Sequence, residues 1–205
     1  GVRGGGGGAA VTSATILSDR AAIESLRTAV ASEAMLYEVQ DDDWAPADLA
    51  VPFDWSAGRP FVSAKRLFFP SREAVLRWDA AGTATAQPVV TAGFALFGLR
   101  ACDATAIAVQ DRFFAADPRY QARRAGALLI AVDCNAACPG GFCRDVAAGP
   151  FAVAGCDLAL TALADDRVLL TVSTAAGRGV LERAGFAGGA DGTALRAAAR
   201  QVAEG

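Results

Sequence analysis

Histidine is absent from this sequence, and its absence limits the kinds of metal site that the chain can build. Without imidazole ligands, a metal centre has to be held by cysteine thiolates, with or without carboxylates. Lysine is scarce as well, since Lys65 is the only one, and nearly all of the positive charge lies on arginine. Together with the abundance of alanine, this bias is typical of a GC-rich coding sequence and is not a binding signal.

Long apolar runs are also missing. A membrane-spanning helix needs about 20 consecutive apolar residues. The most apolar stretch, residues 147–164, is interrupted by glycine, proline and aspartate, so we predict no membrane span. The net charge of −3 gives no electrostatic reason to expect a nucleic-acid partner.

The five cysteines are unevenly spaced and no signal peptide precedes them, which argues against a secreted disulfide scaffold. Reduced thiols that bind a metal or take part in redox chemistry fit better, and we expect a cytoplasmic location. With 205 residues, of which 53% are hydrophobic, the chain is long enough to bury a substantial core. We predict a flexible glycine-rich arm at residues 1–13 and a single domain over residues 14–205.

The apolar pattern predicts an α+β (mixed α/β) fold with a central mixed sheet. In the middle of the chain, two buried strands flank two helices, which predicts a parallel pair joined by a helical crossover. Two further strands separated by a short turn predict a hairpin. In chain order the predicted strands are 35–39, 89–99, 127–132, 157–163 and 167–172, and the helices around them are 104–114, 118–124, 176–184 and 193–204.

Two N-capped helices and one irregular excursion complete the prediction. Ser18 is the expected N-cap of a helix that runs to about residue 32, and Ser71 is the expected N-cap of a short helix over residues 72–78. Residues 41–60 are acidic and then rich in proline and tryptophan, so we predict an irregular segment held by its aromatic side chains.

Four of the cysteines can form one metal-binding or redox site. Cys134, Cys138 and Cys143 lie on one short loop, and Cys102 follows a predicted strand upstream, with the spacing C-x31-C-x3-C-x4-C. Because Cys102 and Cys134 both follow predicted strands, they should meet at the carboxyl edge of the sheet, where α/β folds bind ligands. Pro139 and the two glycines after it allow the loop to fold tightly around a small group and to direct amides at it.

Three kinds of thiol site fit this arrangement: an all-cysteine iron–sulfur cluster, a four-cysteine zinc site and a dithiol redox pair. Structural zinc loops usually contain C-x2-C knuckles, and the same spacing is typical of redox pairs, but it does not occur here. The fifth cysteine, Cys156, is expected to be a small buried core residue.

Charged residues near these cysteines are candidates for binding a cofactor. Arg100 and Asp103 flank Cys102, where they can orient the loop or form a plain surface ion pair. Lys65 precedes an aromatic run, where it can hold an anionic cofactor or simply begin a strand. No G-x-G-x-x-G follows a strand and opens a helix, so the sequence lacks a dinucleotide fingerprint.

Four segments resemble the landmarks of one family in their order and rough spacing. They are SAKRLFFP at 63–70, FGLRACD at 97–103, the loop ending GFC at 141–143, and GCDL at 155–158. From about residue 63 to 179 the chain is similar to the iron–sulfur beta subunit of cytosolic sulfhydrogenases and to its counterpart in anaerobic sulfite reductases, which are 4Fe-4S dicluster-domain proteins. The combination carries the resemblance, and no single motif would.

This resemblance implies a non-catalytic electron-transfer subunit. It would pass electrons between a flavin-containing subunit that uses NAD(P)H and a catalytic hydrogenase or sulfite reductase subunit. Cys102, Cys134 and Cys143 match family cysteines. In two respects the chain departs from the family: Gly141 stands where the family has the first cysteine of Cys-Phe-Cys, and the C-terminal ferredoxin-like domain is absent. The chain is therefore expected to be a fragment or a divergent member.

Residues and resemblance together lead to one prediction, an α+β domain that relays electrons through a [4Fe-4S] cluster. The predicted ligands are Cys102, Cys134, Cys138 and Cys143. Cys156 is the other candidate for the fourth ligand. The residues expected to contact the cofactor are Arg100, Asp103 and Lys65. The alternative is a structural docking module that holds zinc through four cysteines or holds no metal.

Overall fold

The computed structural model describes residues 15–89, 92–136, 138, 140–186 and 191–204, with the side chain of Glu204 excepted. The predicted glycine-rich arm, residues 90 and 91 of a predicted strand, and Pro139 lie outside the described residues. Within the described residues, the chain forms a seven-stranded mixed sheet, a separate two-stranded hairpin and five α-helices. The predicted α+β class is confirmed.

The elements follow one another as β1 (Thr15–Asp19), α1 (Ile23–Ala31), β2 (Met35–Gln40), β3 (Asp43–Pro46), β4 (Leu76–Trp78), β5 (Ala84–Ala86), β6 (Phe94–Arg100), α2 (Ala101–Phe113), α3 (Pro118–Ala125), β7 (Ala127–Val132), β8 (Leu158–Ala162), β9 (Arg167–Val172), α4 (Ala175–Arg183) and α5 (Thr193–Glu204). Short 3-10 helices lie at Arg20–Ala22 and Ala64–Leu67. None of the helices in the described part of the chain combines the length and the apolar character that crossing a bilayer requires.

The strand order of the large sheet is β1-β9-β8-β7-β6-β2-β3. Its four central strands, β8, β7, β6 and β2, are parallel, and β1, β9 and β3 are antiparallel to their neighbours. The chain leaves β6, forms α2 and α3, and returns as the adjacent β7, so the predicted parallel pair with a helical crossover is confirmed. The predicted hairpin is confirmed as β8 and β9.

Apolar side chains fill a layer on each face of the sheet. On one face α1 and α4 contribute Leu26 and Val180. On the other face Ile107 of α2 and Tyr120 of α3 pack with Phe68, which follows the second 3-10 helix. The central strands are therefore covered on both faces, which explains why β6 and β7 are almost uninterrupted apolar runs.

Strand β6 contains a β-bulge at Gly98. Phe97 and Leu99 pair with consecutive residues of β7, so Gly98 is an extra residue in the ladder. Its φ of +93° is readily adopted only by glycine, and a Cβ there would lie 3.3 Å from the ring of Phe53. As a result, Phe97 and Leu99 pack in the layers on opposite faces of the sheet.

A buried ion-pair network fixes the part of the 41–60 excursion that follows β3. Arg27 of α1 is only 1% exposed, and its guanidinium donates to both carboxylate oxygens of Glu38 on β2, each at 2.7 Å. Arg27 also donates to the backbone carbonyl of Val51 at 2.9 Å. Glu24 pairs with Arg27 and accepts the backbone N–H of Phe53 at 2.9 Å. The network therefore holds the start of the excursion against α1 and β2.

Three sequence predictions are wrong in detail. Ser18 does not cap a helix; it lies in β1 and pairs with β9, because pairing with a neighbouring strand overrides a local capping signal. Ser71 caps no helix either, since residues 76–78 form β4 of the small hairpin. The excursion predicted as irregular contains β3, paired with β2. Its aromatic anchoring is confirmed, as Trp44 is buried.

One carboxylate attaches the β4–β5 hairpin to the body of the protein. Glu73, just before β4, accepts hydrogen bonds from Arg119, at 2.6 Å, and from Arg123, both on α3. Arg119 also donates to the carbonyl of Gln87, just after β5, at 3.0 Å. Both ends of the hairpin are thus bound to α3. The hydrogen bond from Arg119, followed by the charges of the two arginines, holds the pKa of Glu73 below its usual value.

The substitution Glu73→Gln is expected to lower the melting temperature at pH 7 by about 2–4 °C, because exposed ion pairs contribute about 0.2–1 kcal/mol each. A carboxyl whose pKa falls on folding stabilises the protein above its unfolded pKa and loses this effect as the pH falls through the folded pKa. Thermal unfolding from pH 7 to pH 3 should therefore show a difference that shrinks as the pH falls below about 4.3, the pKa of an unfolded glutamate. A difference that stayed constant with pH would contradict the ion-pair interpretation.

Candidate metal centre

A cavity of about 350 Å³ opens at the carboxyl edge of the parallel strands, where β6 and β7 end. Three parts of the chain form its walls: the excursion after β3, the start of α2, and the loop between β7 and β8. All four predicted ligands, Cys102, Cys134, Cys138 and Cys143, line it. Sites for cofactors and small molecules usually have volumes of about 300–1,000 Å³, so this cavity is large enough to be one.

The register of β6 and β7 brings Cys102 and Cys134 to the same cavity. Arg100 and Val132 are paired across the two strands, and each cysteine lies two residues beyond this pair. Cys102 falls in the first turn of α2, where the helix dipole favours a thiolate. The loop that carries Cys134, Cys138 and Cys143 is called the cysteine loop below and covers residues 134–151. The backbone N–H of Cys134 donates to the carbonyl of Pro150 at 3.0 Å, which ties the start of this loop to its end.

Backbone hydrogen bonds shape the rest of this loop. The N–H of Gly141 donates to the carbonyl of Cys138 at 2.9 Å, and the N–H of Ala148 donates to the carbonyl of Cys143 at 2.7 Å. Gly149 lies against the Cys143 thiol, because a Cβ added to this glycine would be 3.3 Å from the sulfur. Glycine at this position therefore leaves room for the thiol at the cavity wall.

Two of the four thiols are hard to ionise. Burial raises the pKa of Cys134 to about 11, and burial also raises the pKa of Cys102. Neighbouring thiols add to both pKa shifts: Cys143 acts on Cys102, and Cys138 acts on Cys134. All of these cysteines are free. Thiolates at this site therefore need positive charge nearby, either from the protein or from a metal.

Two arginines bring positive charge to the cavity. Arg59 and Arg100 line it together with the cysteines. Arg59 opposes the rise in the pKa of Cys102, and Arg100 opposes the rise in the pKa of Cys134. The guanidinium of Arg100 also donates a hydrogen bond to the carbonyl of Ala57, so the excursion holds this side chain in place.

Only one of the three residues predicted to contact a cofactor lines the cavity. Arg100 lines the cavity, whereas Asp103 on α2 and Lys65 on the second 3-10 helix are not among the residues that form its walls. Burial raises the pKa of Asp103, and the charges of Arg59 and Lys65 oppose this rise. A cofactor contact for Asp103 or Lys65 stays a prediction.

Cys156 lies in the apolar core. It is 6% exposed, packs in the same apolar layer as Ile107 and Ala159, and does not line the cavity. Burial raises the pKa of its thiol to about 12. This position agrees with the small core residue expected from the sequence, and it favours Cys138 over Cys156 as the fourth thiol of the site.

Positions 138 and 141 lie close together in the loop. A Cβ added to Gly141 would lie 3.0 Å from the carbonyl oxygen of Cys138 and 3.2 Å from its Cβ. The side chain of Cys138 therefore begins beside the place where a cysteine at position 141 would begin. This closeness is compatible with the substitution of Cys138 for the cysteine expected at position 141, which stays a prediction.

The donor set suits a thiolate-bound group, but the thiols do not converge on one point. Among the described residues, no three or more cysteine, aspartate or glutamate side chains are arranged closely enough to hold a metal ion. What the cavity offers is four free thiols, two cations and room for a compact anionic group. Soft thiolate ligands of this kind select zinc or iron–sulfur clusters.

Sequence patterns did not indicate every residue of this site. Trp55, Arg59 and Pro150 also line the cavity. In the sequence, the only signal for Trp55 and Arg59 was the Trp–Pro-rich composition of the excursion. This composition gave no indication that the excursion would reach the ends of β6 and β7. Pro150 falls at the end of the cysteine loop, where the backbone hydrogen bond to Cys134 explains its place.

Comparisons of this chain with protein-family models, with curated proteins and with solved structures found no match. The function has to be inferred from the cavity and its residues.

Proposed function

We propose that this chain is an electron-transfer subunit or domain that holds one [4Fe-4S] cluster through Cys102, Cys134, Cys138 and Cys143. The observation that carries the proposal is the shared cavity, which four free thiols from a helix start and a single loop line together. Cysteines that serve only as small apolar residues are usually buried in the core, as Cys156 is. Four thiols around an open cavity favour a bound group.

The residues of the chain would set the properties of this centre. The thiolates would bind the cluster, while Arg59 and Arg100 would balance part of the negative charge. Trp55 and Pro150 also line the cavity, where they would limit the access of water to the cluster and thereby influence its reduction potential. When bound, the cluster would supply reversible one-electron transfer. No bond chemistry is assigned to this domain.

The partners follow from the sequence resemblance. We propose that electrons pass between a catalytic hydrogenase or sulfite reductase subunit on one side and a flavin-containing NAD(P)H oxidoreductase subunit on the other. Free thiols persist in reducing compartments, so we place the proposed complex in the cytoplasm. Neither a nucleic-acid partner nor a membrane span forms part of the proposal.

Anaerobic expression followed by iron, sulfide and zinc analysis tests the proposal directly. We expect about four irons and four sulfides per chain, together with broad absorbance near ~400 nm that dithionite bleaches, because all-cysteine clusters are redox-active. A ferredoxin expressed in the same cells controls for the supply of clusters.

Either of two outcomes would reject the electron-transfer proposal. Zinc without iron would support a docking module with a structural four-cysteine site. No metal, from cells in which the control ferredoxin is fully loaded, would support a docking module whose cysteines are free.

A further inference from the structure

A buried carboxylate sits directly beside the cysteine loop. Asp133 directly follows β7, precedes Cys134, and has a side chain with no exposed surface. One of its oxygens accepts the backbone N–H of Ala152 at 2.7 Å. The other accepts the hydroxyl of Thr161 on β8 at 2.6 Å. Because Asp133 and Ala152 flank the loop, this carboxylate ties the two ends of the loop together.

The cation that pairs with this carboxylate comes from the last helix. Nη2 of Arg196 on α5 donates to Asp133 at 3.0 Å and to the carbonyl of Ala152 at 2.9 Å. The guanidinium lies 5.4 Å from the ring centroid of Phe151, which ends the same loop. The side chain of Arg196 is 17% exposed. One guanidinium therefore contacts both ends of the cysteine loop.

Helix α5 is itself anchored at the far edge of the sheet. The N–H of Gly192, just before the helix, donates to the carbonyl of Thr15 on β1 at 2.8 Å, and Asp191 forms a β-bridge with Ile16. Strands β9 and β8 lie between β1 and β7. Arg196 thus connects the edge strand to the cysteine loop across three strand intervals.

We infer that Arg196 is a positioning residue for the candidate metal centre: it neutralises Asp133 and closes the ends of the loop that presents Cys134. The biological meaning of this role rests on the proposed function, but the contacts that define the role do not require a bound cluster. A buried carboxylate without a cation is strongly unfavourable, so loss of the guanidinium should loosen the contact between residues 133 and 152. The loop would then open more often, and Cys134 would be exposed with it.

The test measures how fast iodoacetamide alkylates each cysteine in reduced, metal-free full-length protein, with peptide mass spectrometry resolving the sites. Arg196→Met should speed the alkylation of Cys134 about tenfold, which corresponds to ~1.4 kcal/mol less favourable loop closure. Cys156, in the core, should react at an unchanged rate. Arg178→Met removes the same charge from an exposed position on α4 and should leave both rates within about twofold.

Two further variants separate positioning from general destabilisation. Arg196→Lys keeps the charge and several donors, so it should return the Cys134 rate to within about threefold of the wild type. Arg196→Met combined with Asp133→Asn removes both charges, and it should react more slowly at Cys134 than Arg196→Met alone.

An equal acceleration at Cys134 and Cys156, or a change at Cys134 below about twofold, would overturn the inference. Because the readout uses metal-free protein, this result is independent of the metal analysis. Failure to bind iron would reject the proposed cluster and leave the role of Arg196 in closing the loop intact.

Discussion

The substitution Cys134→Ser is expected to abolish cluster binding. The iron content of anaerobically reconstituted protein should fall from about four irons per chain to a trace, and the ~400 nm absorbance should disappear. Cys134 follows β7, and its backbone N–H is fixed to Pro150, so no other described thiol can take its place without moving the strand end. Metal analysis and absorption spectra of the same preparations measure the effect.

The matched control is Cys156→Ser, which removes a thiol that does not line the cavity. Its iron content should equal that of the wild type even if the core becomes less stable. Loss of iron in Cys156→Ser, with retention in Cys138→Ser, would contradict the ligand set and move the fourth ligand to Cys156. The double variant Cys138→Ser with Gly141→Cys should recover part of the lost iron, because the two side chains start from adjacent positions.

The substitution Arg27→Met is expected to lower the free energy of unfolding by about 3–5 kcal/mol. Arg27 is fully buried and is bound in a two-point contact to the Glu38 carboxylate, which is itself 7% exposed. Without the guanidinium, Glu38 would keep a buried charge with no cation opposite it, and the carbonyl of Val51 would lose its donor. Urea denaturation, with the slope compared between variants, measures the change.

An exposed ion pair provides the control for this second prediction. Arg183 and Glu33 join α4 to the end of α1 with side chains 47% and 48% exposed. Because surface pairs contribute about 0–1 kcal/mol, Arg183→Met should cost much less than Arg27→Met. Equal losses for the two variants would show that charge removal alone, without burial, accounts for the effect.

The central part of the fold follows from the sequence because its signals are local and agree with one another. Strands β6 and β7 are almost uninterrupted apolar runs, and Asp117 caps α3 by accepting the N–H groups of Arg119 and Tyr120. Parallel pairing of β6 and β7 is then expected. Adjacent parallel strands need a long crossover connection, and the helices between β6 and β7 provide one. The position of Cys102 and Cys134 at one edge is a consequence of the same two strands.

The failures arise where distant contacts decide the structure. Ser18 has the local features of a helix cap, yet it pairs with Val168 in β9, a residue far along the chain. Residues 71–78 have a capping serine and an acidic residue in the predicted first turn, but Glu73 binds two arginines of α3 and the segment extends into β4. Local propensity cannot anticipate partners that come from other elements.

The same reason explains what was missed around the cavity. Arg59 reaches it from an excursion held by Arg27 and Glu24 on α1. Arg196 reaches the cysteine loop from the last helix, which is anchored on β1. The thiols, in contrast, were visible because three of them share one short loop. Residues that carry the chemistry clustered in sequence, whereas residues that support them did not.

The bulge in β6 also limits which changes in chain length this fold can accept. In a regular strand, side chains alternate between the two faces, and the extra residue at Gly98 interrupts this alternation, so that Phe97 and Leu99 lie on opposite faces. Deleting Gly98 itself would leave a regular ladder in which Leu99 and Arg100 keep their partners on β7. Deleting one residue elsewhere in β6 with the bulge kept would instead turn the side chains on one side of the deletion to the opposite face. The bulge is therefore a position at which β6 can lose one residue while Arg100 stays beside the Ala57 carbonyl and Cys102 stays at the cavity.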